Sequence, residues 1–511
     1  MSTPAASADG WRRLDGRVVL ITALLGAGLT IGSFLPLALI LVVRKPEAVP
    51  FLPLWFVLPL LGGAAAGYVK WRRTRYRLGP ERAELRSGLL LVKRRSLPRE
   101  RIRSVDLTAH LLLRVLGLVK VRIGTGEQTG GGESTLELDP VTRAEGERLR
   151  RELLGRQPEA DTEPVPDGEL AVLDPAWVRY APVSFLALVL GGVAVGGVRQ
   201  VSDWFGVQDE VVHRIGDLYG QTPLLWVVVS LAVAVLLAGA VGAVALWVEK
   251  WWNYRLEREP GGTLRVRRGL FTARSVSIEE RRLRGVELVE PLGVRLLRAA
   301  RVDAVATGLV QESDDRQDTH KTLLPAAPRA VAQSVAAAVL RDRSGSFLSA
   351  PLTPHPRAAR ARRLRWALAA ASAPVLALLV LAAALDARAL WYGAVGAALL
   401  LPPAAVALAL DAYRSLGHGL GGGHLLARSG TVRRSTVALQ RGGVVGWTLK
   451  QSYAQRRAGL LTLTATTAAG DGAYDIRDAD QHAALRFAAE AVPGLLEPFL
   501  EDLGRGADTP R

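Results

Sequence analysis

Three stretches, Gly88–Leu107 (GLLLVKRRSLPRERIRSVDL), Gly269–Leu288 (GLFTARSVSIEERRLRGVEL) and Gly430–Leu449 (GTVRRSTVALQRGGVVGWTL), align without a gap and decide how the chain is built. Nine residues after the glycine stand Leu97, Ile278 and Leu439; fourteen after it stand Ile102, Leu283 and Val444. Nineteen after it stand Leu107, Leu288 and Leu449, and twenty-six after it Arg114, Arg295 and Arg456. A Tyr-Arg pair lies upstream of each copy, at Tyr76-Arg77, Tyr254-Arg255 and Tyr413-Arg414. A match this long at fixed offsets is the mark of one unit repeated three times. Within the first copy, Leu89 to Val92, Val119 to Ile123 and Thr135 to Leu138 read as short half-buried antiparallel strands. The aligned glycine is expected to close a turn where positive φ is inexpensive. Each copy is expected to end in a helix. In the first, Asp139-Pro140 gives an N-cap and N1 signal ahead of Val141, Ala144, Leu149 and Leu153; the others run Val331 to Leu340 and Gln481 to Val492.

Six charge-free apolar runs lie between these units: 18–43, 51–69, 181–198, 223–248, 366–385 and 390–410. The first has 26 residues, long enough to cross a hydrocarbon layer of about 30 Å with tilt, and it meets Arg44-Lys45 directly rather than a cleavage site, so it is not read as a signal peptide. A charge at the centre of such a run costs about 2.5–3.5 kcal/mol on insertion, so their absence favours lipid contact over burial in a soluble core. Paired, the runs make three membrane hairpins. The connections inside the hairpins sum to −1, which leaves +18 for the rest of the chain. Arg12, Arg13 and Arg17 precede the first run, and Arg357, Arg360, Arg362, Arg363 and Arg365 precede the fifth. The positive-inside rule then puts the N-terminus and all three polar segments in the cytoplasm, a cell-membrane protein of multi-pass topology.

The expected organisation is an N-terminus at 1–17, hairpins at 18–69, 181–248 and 366–410, and repeats at 70–155, 249–341 and 411–500. A linker at 156–180, a basic linker at 342–365 and a tail at 501–511 complete it.

Composition removes several activities. The chain has 511 residues, no cysteine, and a net charge of +17 from 65 Lys+Arg against 48 Asp+Glu. Disulfide frameworks, thiolate metal sites and cysteine nucleophiles are therefore excluded. Of the seven histidines only His418 and His424 are close, in a Gly-rich stretch read as a flexible loop. The clusters Gly130–Gly132 and Gly421–Gly423 precede no Lys-Ser or Lys-Thr and are read as hairpin loop or linker, not as phosphate cradles. No catalytic motif stands out, so no enzyme activity, cofactor or metal is expected. The informative polar feature is basic and lies beside the membrane: Lys70, Arg72, Arg73, Arg75 and Arg77, then Lys93, Arg94 and Arg95, and Arg362, Arg363 and Arg365. Near an anionic leaflet each such side chain contributes up to about 1 kcal/mol, which makes these residues the candidate surface for anionic phospholipid or an acidic partner.

Tyr76-Arg77-Leu78, Gly88-Leu89-Leu90, Ser96-Leu97-Pro98-Arg99-Glu100-Arg101-Ile102-Arg103-Ser104-Val105, Leu116-Gly117-Leu118 and Gly124-Thr125 together resemble the bacterial pleckstrin-homology (PH) domain of YdbS/YdbT-like membrane proteins. The resemblance implies two helices ahead of each domain, three copies in the longer members, and a small bent β-barrel capped by a C-terminal helix. The second copy departs from it with Glu279 in place of Pro98, and the third carries the insert Gly417–Gly423, expected to be loose. The fold class expected is thus an α+β polytopic membrane protein in which three transmembrane hairpins alternate with three PH-like β-barrel domains, each closed by a helix. The expected role is a non-catalytic membrane-anchored scaffold. Its partners are the bilayer, anionic phospholipids and other membrane proteins, without nucleic acid. The alternative is a transporter or export component that uses the helices as a pathway.

Overall fold

The structure, a computed structural model, describes residues 11–28, 52–88, 92–102, 104–124, 135–154, 168–307, 321–342 and 350–496. The chain divides into two compact units, 1–280 with 308–320 and 281–307 with 321–511, so the middle repeat is shared between them.

In the first unit, β1 (Arg12–Arg13), β2 (Arg75–Leu78), β3 (Arg82–Ser87) and β4 (Lys93–Pro98) form an antiparallel sheet in that order. Helix α1 (Val18–Gly28) and helix α2 (Leu52–Arg73) belong to the first hairpin. A second sheet starts with β5 (Ser104–Ala109), β6 (Leu118–Gly124) and β7 (Thr135–Thr142), followed by helix α3 (Arg143–Leu154). Alternation puts Tyr76, Leu85, Val105, Val121 and Leu138 on the inner faces, and with Leu149 of α3 they form one buried cluster. The second sheet does not end with its own repeat. It continues through β8 (Gly168–Val172), β9 (Arg255–Glu259), β10 (Thr263–Arg268) and β11 (Ala273–Glu279) in the order β7-β6-β5-β11-β10-β9-β8. Between β8 and β9 lie the second hairpin's helices α4 (Phe185–Phe205), α5 (Gln208–Tyr219) and α6 (Leu224–Trp251). Small residues let α4 and α6 approach: a Cβ on Gly239 would stand 1.9 Å from the Ala187 carbonyl oxygen.

The second unit repeats the plan. Strands β12 (Leu283–Pro291), β13 (Ala299–Ala306) and β14 (Thr322–Pro328) lead to helix α7 (Arg329–Val339). The third hairpin is α8 (Arg357–Leu385) and α9 (Arg388–Arg414). Strands β15 (Gly417–Gly421), β16 (His424–Ser429) and β17 (Arg433–Gln440) join the earlier three as β14-β13-β12-β17-β16-β15. Strands β18 (Val444–Lys450), β19 (Leu460–Thr467) and β20 (Ala473–Asp480) make a separate sheet, and helix α10 (Gln481–Ala491) closes the core of Leu425, Leu439, Leu463, Ile476 and Phe487.

The aligned glycines do what the turn requires. Gly88, Gly269 and Gly430 have φ of 128°, 113° and 101°. At Gly430 a Cβ would lie 2.0 Å from the Arg433 carbonyl oxygen, so no other residue fits there without displacement.

Several expectations are corrected. Each repeat is split between two sheets, and strands of successive repeats pair edge to edge. Four described helices, not six, are long and apolar enough to span a membrane: 186–203, 225–251, 357–385 and 388–414. Helix α1, with 11 described residues, covers only about 16 Å, and the rest of the first expected run lies in 29–51, outside the described residues. Asp139-Pro140 is not a helix start but part of β7, and α3 begins at Arg143, with the Thr142 hydroxyl accepting from the Glu145 N–H at 3.3 Å. The expected strand at Leu89–Val92 falls mostly on 89–91, outside the described residues, and β4 follows at Lys93. The insert Gly417–Gly423 and the histidines at its ends are not a loose loop. They form the β15–β16 hairpin, because Gly417 and Gly419 leave room for Leu352 to lie on the strand; a Cβ on Gly417 would meet the Leu352 Cβ at 2.9 Å. Gly130–Gly132 lie outside the described residues.

Candidate functional site

At the foot of the third hairpin the start of α8 meets the last sheet around one buried carboxylate. Asp478 sits in β20 where the register with β19 shifts between Leu461 and Leu463, and its φ is 57°. This bulge turns the side chain toward α8. There it accepts hydrogen bonds from Arg362 Nη1 at 2.6 Å, Arg363 Nη2 at 3.2 Å and Gln455 Nε2 at 2.9 Å. Gln455 is itself fixed by a reciprocal capping box with Ser452. Asp478 is only 2% exposed, so two guanidinium groups and an amide replace the water it has lost.

Behind it lies a histidine pair. His355 Nδ1 is 3.1 Å from the Asp478 carbonyl oxygen, and His355 Nε2 is 3.2 Å from His418 Nδ1. A carbonyl only accepts, so His355 carries its proton on Nδ1, and its Nε2 accepts from a proton on His418 Nδ1. Both rings are then neutral. Burial lowers the affinity of His355 for a second proton, and burial, followed by repulsion from His355 in its protonated form, pushes His418 down to about 4. The Tyr413 hydroxyl donates to the His355 carbonyl at 2.9 Å, and the Thr353 N–H donates to the His418 carbonyl at 2.7 Å. Through these bonds the segment ahead of α8 is clamped to the sheet.

On the other side of Asp478 opens a cleft of about 840 Å³. Its polar end carries Arg362, Arg363, Lys450, Arg477, Asp475 and Asp478, four cationic groups against two anionic ones. Arg477 reaches Asp475 at 3.4 Å, and Lys450 is exposed and makes no ion pair among the described residues. The apolar end runs between α8 and α9, past Trp366, Ala370 and Pro374 on one side and Leu401, Ala405 and Leu408 on the other. From Arg363 to Pro374 it extends eleven residues, about 16 Å along the helix, close to half of a 30 Å hydrocarbon core.

The first repeat has a smaller cleft of about 600 Å³ in the corresponding place, between α2 and the domain. It is lined by Ala65, Val69, Lys70, Arg73, Glu137 and Asp139 among others. Lys70 pairs there with Asp139 at 3.3 Å, and burial of Glu137 is outweighed by Lys120 and Arg122, which hold its carboxyl below the usual range.

The sequence-predicted basic residues therefore separate into groups. Lys70 and Arg73 line the first cleft and Arg362 and Arg363 the second, whereas Arg72, Arg75 and Arg365 are exposed. Arg77 pairs with Glu84 at 3.2 Å and stacks on Trp11 at 5.4 Å. Lys93 and Arg94 are exposed on β4, and Arg95 donates to the Thr135 carbonyl at 3.0 Å. Lys450, Arg477, Asp478 and the His355–His418 pair were missed by sequence reasoning. The arginines that hold Asp478 are 115 and 116 residues away along the chain and the two histidines are 63 apart, so no local spacing marks them.

The bacterial PH domain family model matches residues 24–157, 185–343 and 368–490, three times along the chain. The UPF0699 transmembrane protein YdbT of Bacillus subtilis (strain 168) is 33% identical over 86 residues, a match that spans 17% of this chain and 17% of that relative. No solved structure matches.

Proposed function

Because the chain belongs to the bacterial PH domain family, as a three-copy member resembling YdbT, we propose that it is a non-catalytic, membrane-anchored scaffold whose repeats bind anionic phospholipid at the surface of the cell membrane. The observation that carries this reading is the cleft at the foot of α8 and α9. An apolar groove about one acyl chain long opens into a polar pocket with a cationic excess, and Lys450 there has no counterion among the described residues. A phosphate in that pocket would meet Lys450 and Arg477 while one chain lies along Ala370 and Pro374. The orientation proposed is the one read from the arginines, with N-terminus and repeats on the cytoplasmic side.

The test is reconstitution of the full chain in nanodiscs of phosphatidylcholine alone or with phosphatidylglycerol, followed by native mass spectrometry of the lipids that stay bound. Retention of phosphatidylglycerol, reduced at least tenfold in Lys450→Glu/Arg477→Glu, supports the assignment. Equal retention of both lipids, unaffected by the double substitution, contradicts it.

A further inference from the structure

The two junctions between successive repeats are built in one register. In the first, Ala109 of β5 faces Ala273 of β11, with Thr108 on Arg274 and Leu107 on Ser275. In the second, Glu290 of β12 faces Arg434 of β17, with Val289 on Ser435 and Leu288 on Thr436. Counted from the aligned glycines, these are the same positions. One repeat thus supplies an accepting edge (β5, then β12), and the next repeat covers it with the strand that follows its glycine (β11, then β17).

One edge of each kind is left over. Among the described strands, β18 corresponds to β5 and β12 and pairs only with β19; β4 corresponds to β11 and β17 and pairs only with β3. Burial follows the pairing. Leu107 and Leu288 are 6% and 2% exposed, while the matching Leu449 is 44% exposed and Val445 beside it 67%. On the covering side, Ser277 and Ala438 are buried, while the matching Ser96 is exposed. An uncovered apolar edge of this kind is a template for another strand.

We propose that β18 of one chain is covered by β4 of a second copy, continuing the repeat-to-repeat junction from chain to chain along the membrane. The register is set by the inner junctions: Gln451 opposite Val92, Lys450 opposite Lys93, Leu449 opposite Arg94 and Thr448 opposite Arg95. The contact is heterologous, so it propagates unless its rotation closes a ring. The facing Lys450 and Lys93 oppose it, which makes this junction weaker than the inner two and reversible.

The chain has no cysteine, so pairs can be placed freely. Thr448→Cys with one tag and Arg95→Cys with another are co-expressed in the full chain, and native membranes are oxidised; Leu449→Cys with Arg94→Cys is the neighbouring pair, in case the first has hydrogen-bonded spacing. A disulfide dimer carrying both tags, and increased at least threefold by Lys93→Glu, is the expected result. No mixed dimer from either pair overturns the proposal. So does a dimer from Thr448→Cys alone, which would mean that like edges meet across a two-fold axis, or an adduct to a different protein in place of the mixed dimer. None of these readouts depends on bound lipid, so this proposal and the lipid assignment fail separately.

Discussion

Acid should loosen the third repeat by a calculable amount. In an unfolded chain a histidine takes up its proton near pH 6.5, whereas His418 in the fold resists down to about 4. Above pH 6.5 both states are neutral and the pair gives no pH dependence. Below it the unfolded chain binds a proton that the folded chain refuses, so stability falls with pH until His418 itself titrates. The slope is about 1.4 kcal/mol per pH unit for one site, or about 2 kcal/mol from His418 alone at pH 5. His355, shifted in the same direction, adds to the loss. The geometry gives the cause: a second proton on His355 Nε2 would face the Nδ1–H of His418 at 3.2 Å, donor against donor. Hydrogen exchange of β15, β19 and β20, measured on the detergent-solubilised full chain at pH 7, 6 and 5 and corrected for intrinsic rates, reads this as a progressive loss of protection. His418→Gln keeps a donor toward His355 and removes one titration, so its dependence between pH 6.5 and 5 should be markedly flatter. Protection that is level across this range in the unsubstituted chain, or an unchanged slope in His418→Gln, would refute the reasoning.

Other perturbations test the junctions and turns. Arg150 of α3 donates to Glu259 at 2.7 and 3.1 Å and to Glu147 at 3.1 Å, and Arg265 donates to the same two carboxylates. Burial disfavours ionisation of Glu147 and Glu259, but the two arginines outweigh it and hold both carboxyls below the usual range. Arg150→Met should therefore cost about 2–3 kcal/mol, less than the loss of a fully buried pair because the carboxylates keep some solvent. Faster hydrogen exchange in β9 and β10 checks it, and unchanged exchange would show that the network does not hold the sheet. Gly430→Ala, with φ at 101° and its new Cβ 2.0 Å from a carbonyl oxygen, should lower stability by about 2–3 kcal/mol, read as a drop in thermal midpoint; a neutral outcome would mean that the turn has another conformation.

What could be read from the sequence was whatever one repeat encodes locally. The aligned glycines with positive φ and the terminal helices at Arg329–Val339 and Gln481–Ala491 follow from turn chemistry and periodicity, within two residues of expectation. Sharing of sheets between repeats could not be read, because periodicity assigns a residue to a face and says nothing of which distant strand meets its edge. The same holds for Asp478, a lone acid in a strand that gains its meaning only when Arg362 and Arg363 arrive from 115 or 116 residues away. His418 and His424 looked like loop residues because five glycines surround them; packing of Leu352 onto Gly417 makes that composition a strand. Of the candidate basic residues, Lys70 and Arg73 at the end of α2 and Arg362 and Arg363 at the start of α8 line clefts, whereas their neighbours Arg72 and Arg365 do not.

We propose that the hairpins cross the bilayer and hold every repeat on its cytoplasmic face. Single cysteines at Asp209 and Ala387, in the connections between the long helices of the second and third hairpins, and at Glu100 and Arg457, in the first and third repeats, can be labelled in intact cells with a membrane-impermeant maleimide. Asp209→Cys and Ala387→Cys should react from outside, and Glu100→Cys and Arg457→Cys only after lysis. Labelling of either repeat position in intact cells would contradict it.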